Sequence, residues 1–253
     1  MLVTGNPALA HDLCPDRPGI GTPACTMESG QMQIELGLGQ WTREKDAETR
    51  TDGVEVSQAL LRIGLDPALE AQVAWSAFGH VRERDRATGA VTKDSGTGDV
   101  TLALRRNLRN PDGSGLSMAL MPYVSLPVGG SAIGAGDWGA GMLLPATLEV
   151  GDGFSLEFTG EVDAAVDEDR NGRHLAYGGV LGVGFTLGEN VSGVVEASLT
   201  RDEDPADHAT EALSGLALLW QPSDDMQFDI GLNIGLNRDS ADSTLYLGVV
   251  RRF

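Results

Sequence analysis

Glu157, Glu161 and Asp163 share one parity within the stretch 153–165. On an extended chain alternate side chains face one way, so these three carboxylates would form a stripe along a single strand. Such a stripe attracts cations. The same parity, followed through the other apolar stretches, gathers Glu35, Glu70, Asp99, Asp137, Glu149, Glu196 and Asp229, together with the bases Arg62, Arg105 and Arg252. Ten acids then face three bases. If those side chains line a narrow enclosure of low dielectric, the excess favours cations or neutral polar solutes over anions. Two other readings stay open: solvated or paired wall groups, or a polar plug in which the acidic row pairs with Arg62 or Arg105.

Other chemistries find less support. His80 shares a side with Ser76, but four residues along a strand span ~13 Å, too far for a nucleophile and its base. His11 lies in the N-terminal segment, and His174 and His208 fall at loops or strand ends, so no triad is expected, and catalysis by a lipid-hydrolysing barrel is only the second alternative to solute passage. No phosphate loop or dinucleotide fingerprint is present, and no cofactor is expected. Cys14 and Cys25 are the only cysteines and have no histidine pair beside them to complete a zinc site. In an exported protein they read as a disulfide bracing a segment that holds Pro15, Pro18, Gly19, Gly21 and Pro23. The runs Asp167-Glu168-Asp169 and Asp202-Glu203-Asp204 lack the spaced ligands and fixed glycine of a calcium loop, so no metal is expected. With 18 Lys and Arg against 37 Asp and Glu, the net charge of −19 argues against nucleic acid as a partner.

The elements that position these residues are strands. In 226–237 Met226, Phe228, Ile230, Leu232, Ile234 and Leu236 alternate with polar residues or glycine. A helix would need apolar residues three and four apart, and each interior glycine would cost it about 1 kcal/mol. The same alternation marks 31–42, 54–65, 68–81, 98–108, 115–128, 136–150, 153–165, 174–187, 191–201, 211–221 and 243–253. Together these make twelve segments, each long enough to cross a bilayer as a tilted strand, and an even number suits a closed barrel. Connections after the odd segments are longer and polar, such as 43–53 and 82–96, whereas most after the even ones are tight, such as Asp66-Pro67. That asymmetry separates an outer face from a periplasmic one. Phe154, Phe185, Trp220, Phe228 and Phe253 fall at the periplasmic ends of the outward parity, and Trp138 and Tyr177 at the outer ends, as girdles do. Trp41 lands on the inward parity, which predicts a bulge or loop start there. The fold expected is all-β: a single 12-stranded antiparallel transmembrane barrel over 31–253. It would follow a signal-peptide remnant over 1–10, ending in Ala8-Leu9-Ala10, and a periplasmic N-terminal segment over 11–30.

Cys14-Pro15-Asp16-Arg17-Pro18-Gly19, then Gly21-Thr22, Cys25-Thr26 and Gly30-Gln31-Met32-Gln33-Ile34-Glu35, resemble the opening of a bacterial outer-membrane, transporter-like β-barrel family. That family is described as a MetA pathway of phenol degradation. Gly98-Asp99 and Pro122-Tyr123-Val124-Ser125-Leu126-Pro127-Val128-Gly129 are similar to its later landmarks. The resemblance implies an outer-membrane location and passage of small solutes, by label including hydrophobic or aromatic compounds, and it transfers no catalytic residue. The main alternative is a plugged structural or adhesive membrane protein. Partners expected are outer-membrane lipid and lipopolysaccharide, a small solute, and the barrel-assembly machinery. The last would read a C-terminal strand ending Leu245-x-Leu247-x-Val249-x-Arg251-x-Phe253, in which Arg251 departs from the usual apolar residue. Mixed charges in 82–96 would meet lipopolysaccharide phosphates or form ordinary solvated loops.

Overall fold

The computed structural model describes residues 13–253 apart from 131 and 152, so the signal-like stretch 1–10 and His11 lie outside the described residues. The strands are β1 (Met32–Lys45), β2 (Thr49–Asp66), β3 (Leu69–Asp85), β4 (Val91–Gly96), β5 (Val100–Arg109), β6 (Leu116–Leu126) and β7 (Gly139–Gly151). They continue with β8 (Phe154–Val166), β9 (Arg173–Gly188), β10 (Val191–Glu203), β11 (His208–Ser223), β12 (Met226–Gly235) and β13 (Ser243–Arg252). Each long strand pairs antiparallel with its sequence neighbours, β1 pairs with β13, and β2 pairs with β3, which closes the ring. β4 pairs only with the upper part of β3, while β5 pairs with its lower part. The two short strands therefore fill one place in the wall, and the barrel has twelve staves as the alternation predicts. Closure matters because a bilayer offers backbone groups no hydrogen bond, so each must find its partner in the ladder.

The interior is polar and the exterior apolar. Leu181, Leu236 and Trp220 are exposed on the outside, whereas Arg62, Arg105, Gln33, Glu35 and Glu70 are among the largest fully buried side chains. A soluble protein reverses this arrangement. At the periplasmic end the last residue closes the seam between β1 and β13: Phe253 N donates to the Met32 carbonyl at 2.8 Å.

The bulge expected near Trp41 is present. The register of β1 against β13 shifts between Gly37 and Gly39, and Ser57 of β2 has φ +57°. Inward parity switches there. Below it Glu35 points in; above it Thr42 does, bonding Thr244 of β13 at 3.2 Å, and Trp41 points out. Beyond this level β1 and β2 continue as a hairpin, so 43–53, expected as a loop, is strand except for 46–48. The connection 82–96 likewise contains the end of β3 and all of β4. Outside the bilayer neither face must be apolar, so hydrophobic alternation disappears while backbone pairing continues.

The described part of the N-terminal segment differs in placement from a periplasmic appendage. Residues 13–30 lie inside the barrel, bonded to inward side chains of both its halves, and leave at Gly30, whose N–H donates to the Gly64 carbonyl at 2.9 Å.

Candidate functional site

The lumen has two unlike sides, and the inserted segment touches both. On the side of β1, β2, β3, β5, β12 and β13 the wall supplies long charged groups that ion-pair with the segment. Arg62 lies 2.9 Å from Glu70, 3.3 Å from Glu35 and 3.1 Å from Asp16. Arg105 lies 2.7 Å from Asp16 and 3.4 Å from Glu70. Arg17 reaches across to Asp229, its Nε and Nη2 donating at 3.1 and 2.9 Å. Three guanidiniums thus meet four carboxylates, and the seven come from two sources: Asp16 and Arg17 belong to the segment, the rest to the wall. Burial pushes the Asp16 carboxyl up, but Arg105 and Arg62 outweigh it and hold that group below the ordinary aspartate range.

Backbone groups of the segment are bound as well, as buried polar groups must be. Glu35 accepts from Asp16 N and Arg17 N, both at 3.0 Å, and Glu70 accepts from Met27 N at 2.8 Å. Arg105 donates to the Cys25 carbonyl at 3.2 Å, and Arg62 donates to that of Cys14. The two cysteines are joined in a disulfide, Cα atoms 6.3 Å apart, so both ends of the cross-linked loop are tied to the wall.

On the side of β7–β11 the wall is different. Glu157, Glu161 and Asp163 face inward on β8, and among the described residues no Arg or Lys pairs with them. Gly182 of β9 lies opposite Glu157 on one side and Glu196 of β10 on the other, and Gly178 lies opposite Glu161. Gly141 of β7 leaves room for Tyr123 of β6 to reach over it and donate to Asp163, with Glu161 accepting from the same hydroxyl at 3.4 Å. Small residues in line with acids leave space. A cavity of about 530 Å³ opens toward the periplasmic turns between Arg17, Pro18 and Gly21 of the segment and Ser155, Glu157 and Gly184 of the wall. A second, about 270 Å³, lies beyond it among Ile20, Thr22, Thr159, Glu161, Ser198 and Glu211.

The edge of the inserted segment borders both spaces, Gly21 lining the first and Ile20 and Thr22 the second. Glu196 accepts from Ile20 N at 2.7 Å and Gly21 N at 2.8 Å, and Thr159 exchanges bonds with Thr22 N and O at 2.9 and 3.1 Å. Gly19, at φ +122°, allows this approach, because a Cβ there would lie 2.7 Å from a Glu196 oxygen. On the ion-paired side a third space of about 330 Å³ runs from Asp99 down to Asp16, Arg17 and Glu35, which form its floor.

The expected inward residues therefore separate into three groups. Glu35, Arg62, Glu70, Arg105 and Asp229 hold the inserted segment by their side chains. Glu157 and Glu161 border the two cavities, Asp163 accepts from Tyr123, and Glu196 clamps the segment's edge. Asp99, Asp137, Glu149 and Arg252 lie toward the barrel's ends, where Asp99 borders the third space and Glu149 the first. Asp99 accepts from Gly129 N and Ala135 N and pins the 127–138 connection over the outer mouth. Asp137 pairs with Arg173 at 2.8 Å in the outer loops, Glu149 accepts from Gly115 N at the opposite end, and Arg252 donates to the Asp224 carbonyl. For Asp137, which precedes the first ladder pair of β7, extended parity loses its meaning. The pairing of Arg62 or Arg105 with the β8 acids is also replaced, since both guanidiniums are taken by Glu35, Glu70 and Asp16. The segment's own contribution was missed; its signal was Asp16-Arg17 between two cysteines, charges that a solvated tail has no need to place.

His80 points outward because of the parity switch, and its Nδ1 lies 2.7 Å from Ser95 Oγ rather than near Ser76. Among the described residues no carboxylate bonds to His80, so this contact lacks the group that would orient a catalytic base. Asp167, His174 and Asp204 bring donor atoms within 4.8 Å of one another in the outer loops, the geometry a metal ion would need. An imidazole bridging Asp167 at 2.9 Å and Asp202 at 2.7 Å accounts for the same arrangement without one.

A closed twelve-stranded barrel with an apolar outside, a polar inside and tight turns at one end defines an outer-membrane protein. Residues 15–253 match the family described as "Putative MetA-pathway of phenol degradation", and the chain belongs to that family. Among solved structures it is similar to the NanC porin at 7% identity and TM-score 0.54, covering 87% of this chain and 98% of that one. It is similar also to the KdgM porin, at 8% identity and TM-score 0.53 over 87% of this chain and 99% of that one. The translocator domain of the autotransporter NalP from Neisseria meningitidis is 13% identical with TM-score 0.55, covering 90% of each. At such identities the likeness is one of fold. No curated protein matches the chain by sequence. Its place is the bacterial outer membrane.

Proposed function

We propose that the protein is a passive outer-membrane channel for small cationic or neutral polar solutes, with its path along β7–β11. The observation that carries this reading is the pair of cavities on that side, one bordered by Gly21 and the other by Ile20 and Thr22 of the same edge of the inserted segment. A few hydrogen bonds hold that edge, each worth about 1 kcal/mol net, so thermal displacement of it is within reach. The acids facing the path raise the local concentration of cations and disfavour anions. A small phenolic compound is neutral and polar, and the family description supports including it. The role is transport, not catalysis.

A second reading, a sealed barrel with a structural or adhesive role, draws support from the ion pairs that fasten the segment on the other side. Conductance of the refolded barrel in a planar bilayer, with reversal potentials in a KCl gradient, separates the two. Discrete steps with cation preference, diminished when Glu157, Glu161 and Asp163 are changed to Gln, Gln and Asn, are the expected result. Insertion without conductance transfers the conclusion to the sealed reading.

A further inference from the structure

The parts of β1–β4 beyond the parity switch form a sheet with two unlike faces. Cross-strand register sets Arg43, Asp52, Arg82 and Lys93 in one row and Lys45, Arg50 and Arg84 in the next. Just below lie Trp41, Val54 and His80. This is the outer face: Val54 and Phe78 are exposed on it, while on the opposite face Thr42 bonds Thr244 across the mouth and Gly79 meets Ile133 of the connection folded over the lumen. The inner face carries Glu44, Glu83 and Asp94 and no base in the corresponding rows. Six of the chain's 18 Lys and Arg thus gather on one ledge of a protein whose net charge is −19.

Two carboxylates answer them. Asp52 lies 3.2 Å from Arg43, 2.9 Å from Arg50 and 4.0 Å from Arg82, and Lys45 lies 3.5 Å from Asp242. One carboxylate among three guanidiniums arranges them without neutralising them. Arg43 is further fixed over the Trp41 ring at 4.5 Å. The rows stand roughly 7 Å apart along the strands, directly above the lipid-facing surface of Trp75 and Phe78. That is the height at which the outer leaflet's headgroups meet the barrel.

We infer that this ledge binds the phosphates of a lipopolysaccharide molecule in the surrounding leaflet. Guanidinium pairs well with phosphate, and two rows of bases suit a head that carries two phosphates better than a diacyl lipid with one. The contact is direct and needs no bridging divalent cation. The sheet's inner face, with acids in the corresponding places, repels such a head.

The test titrates bisphosphorylated lipid A against the refolded barrel in detergent with EDTA present. Changing Arg43, Arg50 and Arg82 to Gln is expected to weaken binding about 100-fold. Dephosphorylated lipid A is expected to bind the unaltered barrel as weakly. Glu44→Gln with Glu83→Gln, on the inner face, is expected to change affinity less than about twofold, since their charges lie on the far side of the sheet. Heat-modifiable gel mobility checks that each variant is a folded barrel. Should the triple variant fail to fold, Arg84→Gln with Lys93→Gln leaves the Asp52 cluster intact and is expected to lose about 30-fold. Unchanged binding in a folded ledge variant, or equal binding of dephosphorylated lipid A, overturns the inference.

Discussion

The two sides of the lumen begin from the same feature, acidic side chains at inward positions of the alternation, and end differently. On the β1–β5 and β12–β13 side Glu35, Glu70 and Asp229 are covered by Arg62, Arg105 and Arg17, and the space that opens from Asp99 ends on the inserted segment. On the β7–β11 side Glu157 and Glu161 have glycines for neighbours and cavities in front of them, and Asp163 is held by Tyr123 rather than by a base. Whether an inward acid closes a barrel or lines a path is decided by the base opposite it. Here the bases are distributed unevenly.

The largest effect expected from breaking this comparison is at Arg105. Changing it to Met removes the guanidinium between Asp16 and Glu70 and leaves four carboxylates to Arg62 and Arg17 alone, a loss of about 3–5 kcal/mol. The same type of change on the other side, Glu157→Gln, removes a charge that has no base and is expected to cost under about 1 kcal/mol. Denaturant unfolding followed by heat-modifiable mobility measures both. Equal costs would mean that the two sides are fastened alike.

Next comes the cross-link. Replacing Cys14 and Cys25 with Ser frees a loop of 11 residues' separation and is expected to cost about 2–3 kcal/mol, read as a lower denaturation midpoint. Because Arg62 and Arg105 hold the carbonyls of those two cysteines, the segment should also loosen in place, and channel openings in a bilayer should become more frequent. A destabilised barrel with unchanged openings would separate the disulfide from the path.

Acid acts on the same side. Asp16 is held below the ordinary aspartate range in the folded protein, so its ion pairs contribute fully above the unfolded-chain value near about pH 4 and are lost as pH falls through the lower folded value. Conductance should therefore rise as pH is lowered below about 4, and Asp16→Asn should remove that rise. An identical pH profile in the variant would assign the effect to other carboxylates.

The wall was legible in the sequence because a bilayer imposes one rule on every strand that crosses it. Ile230 and Leu232 must face lipid, so Asp229 must face in, and the parity of a single run places all three. The rule lapses where the bilayer ends. Arg43, Asp52 and Arg82 alternate sign, not hydropathy, and read as loop until the register of β1–β3 is known. Asp137 precedes the first ladder pair of β7, so parity places it only by extension, whereas Glu149 and Arg252 sit in their ladders opposite Ser155 and Gln33, at the periplasmic rim. The inserted segment was illegible for another reason: Pro15, Pro18, Gly19 and Pro23 give it no periodicity, and its order comes from Glu35, Glu70 and Glu196, contacts up to 176 residues away. A surplus of inward charge could have indicated that something fills the lumen, though not which stretch of chain.

The smallest changes sharpen the comparison most, because one methyl group should have opposite effects on the two sides. Gly184 lies beside Ser155 and Glu157 on the first cavity, and a Cβ there would crowd the Ser155 hydroxyl and meet the Glu157 Oε1 at 3.2 Å. Those side-chain ends border open space and can give way, so Gly184→Ala should cost less than about 1 kcal/mol while narrowing the path and lowering conductance. Gly248 faces Arg17, and a Cβ there would collide with a guanidinium already fixed on Asp229. Gly248→Ala should therefore displace Arg17, weaken the hold on the inserted segment and raise conductance. Single-channel recordings of the two variants, each against the unaltered barrel, read the sign directly. Two changes of the same sign would mean that conductance does not depend on which side of the segment is disturbed, and the path would then have to be sought elsewhere in the barrel.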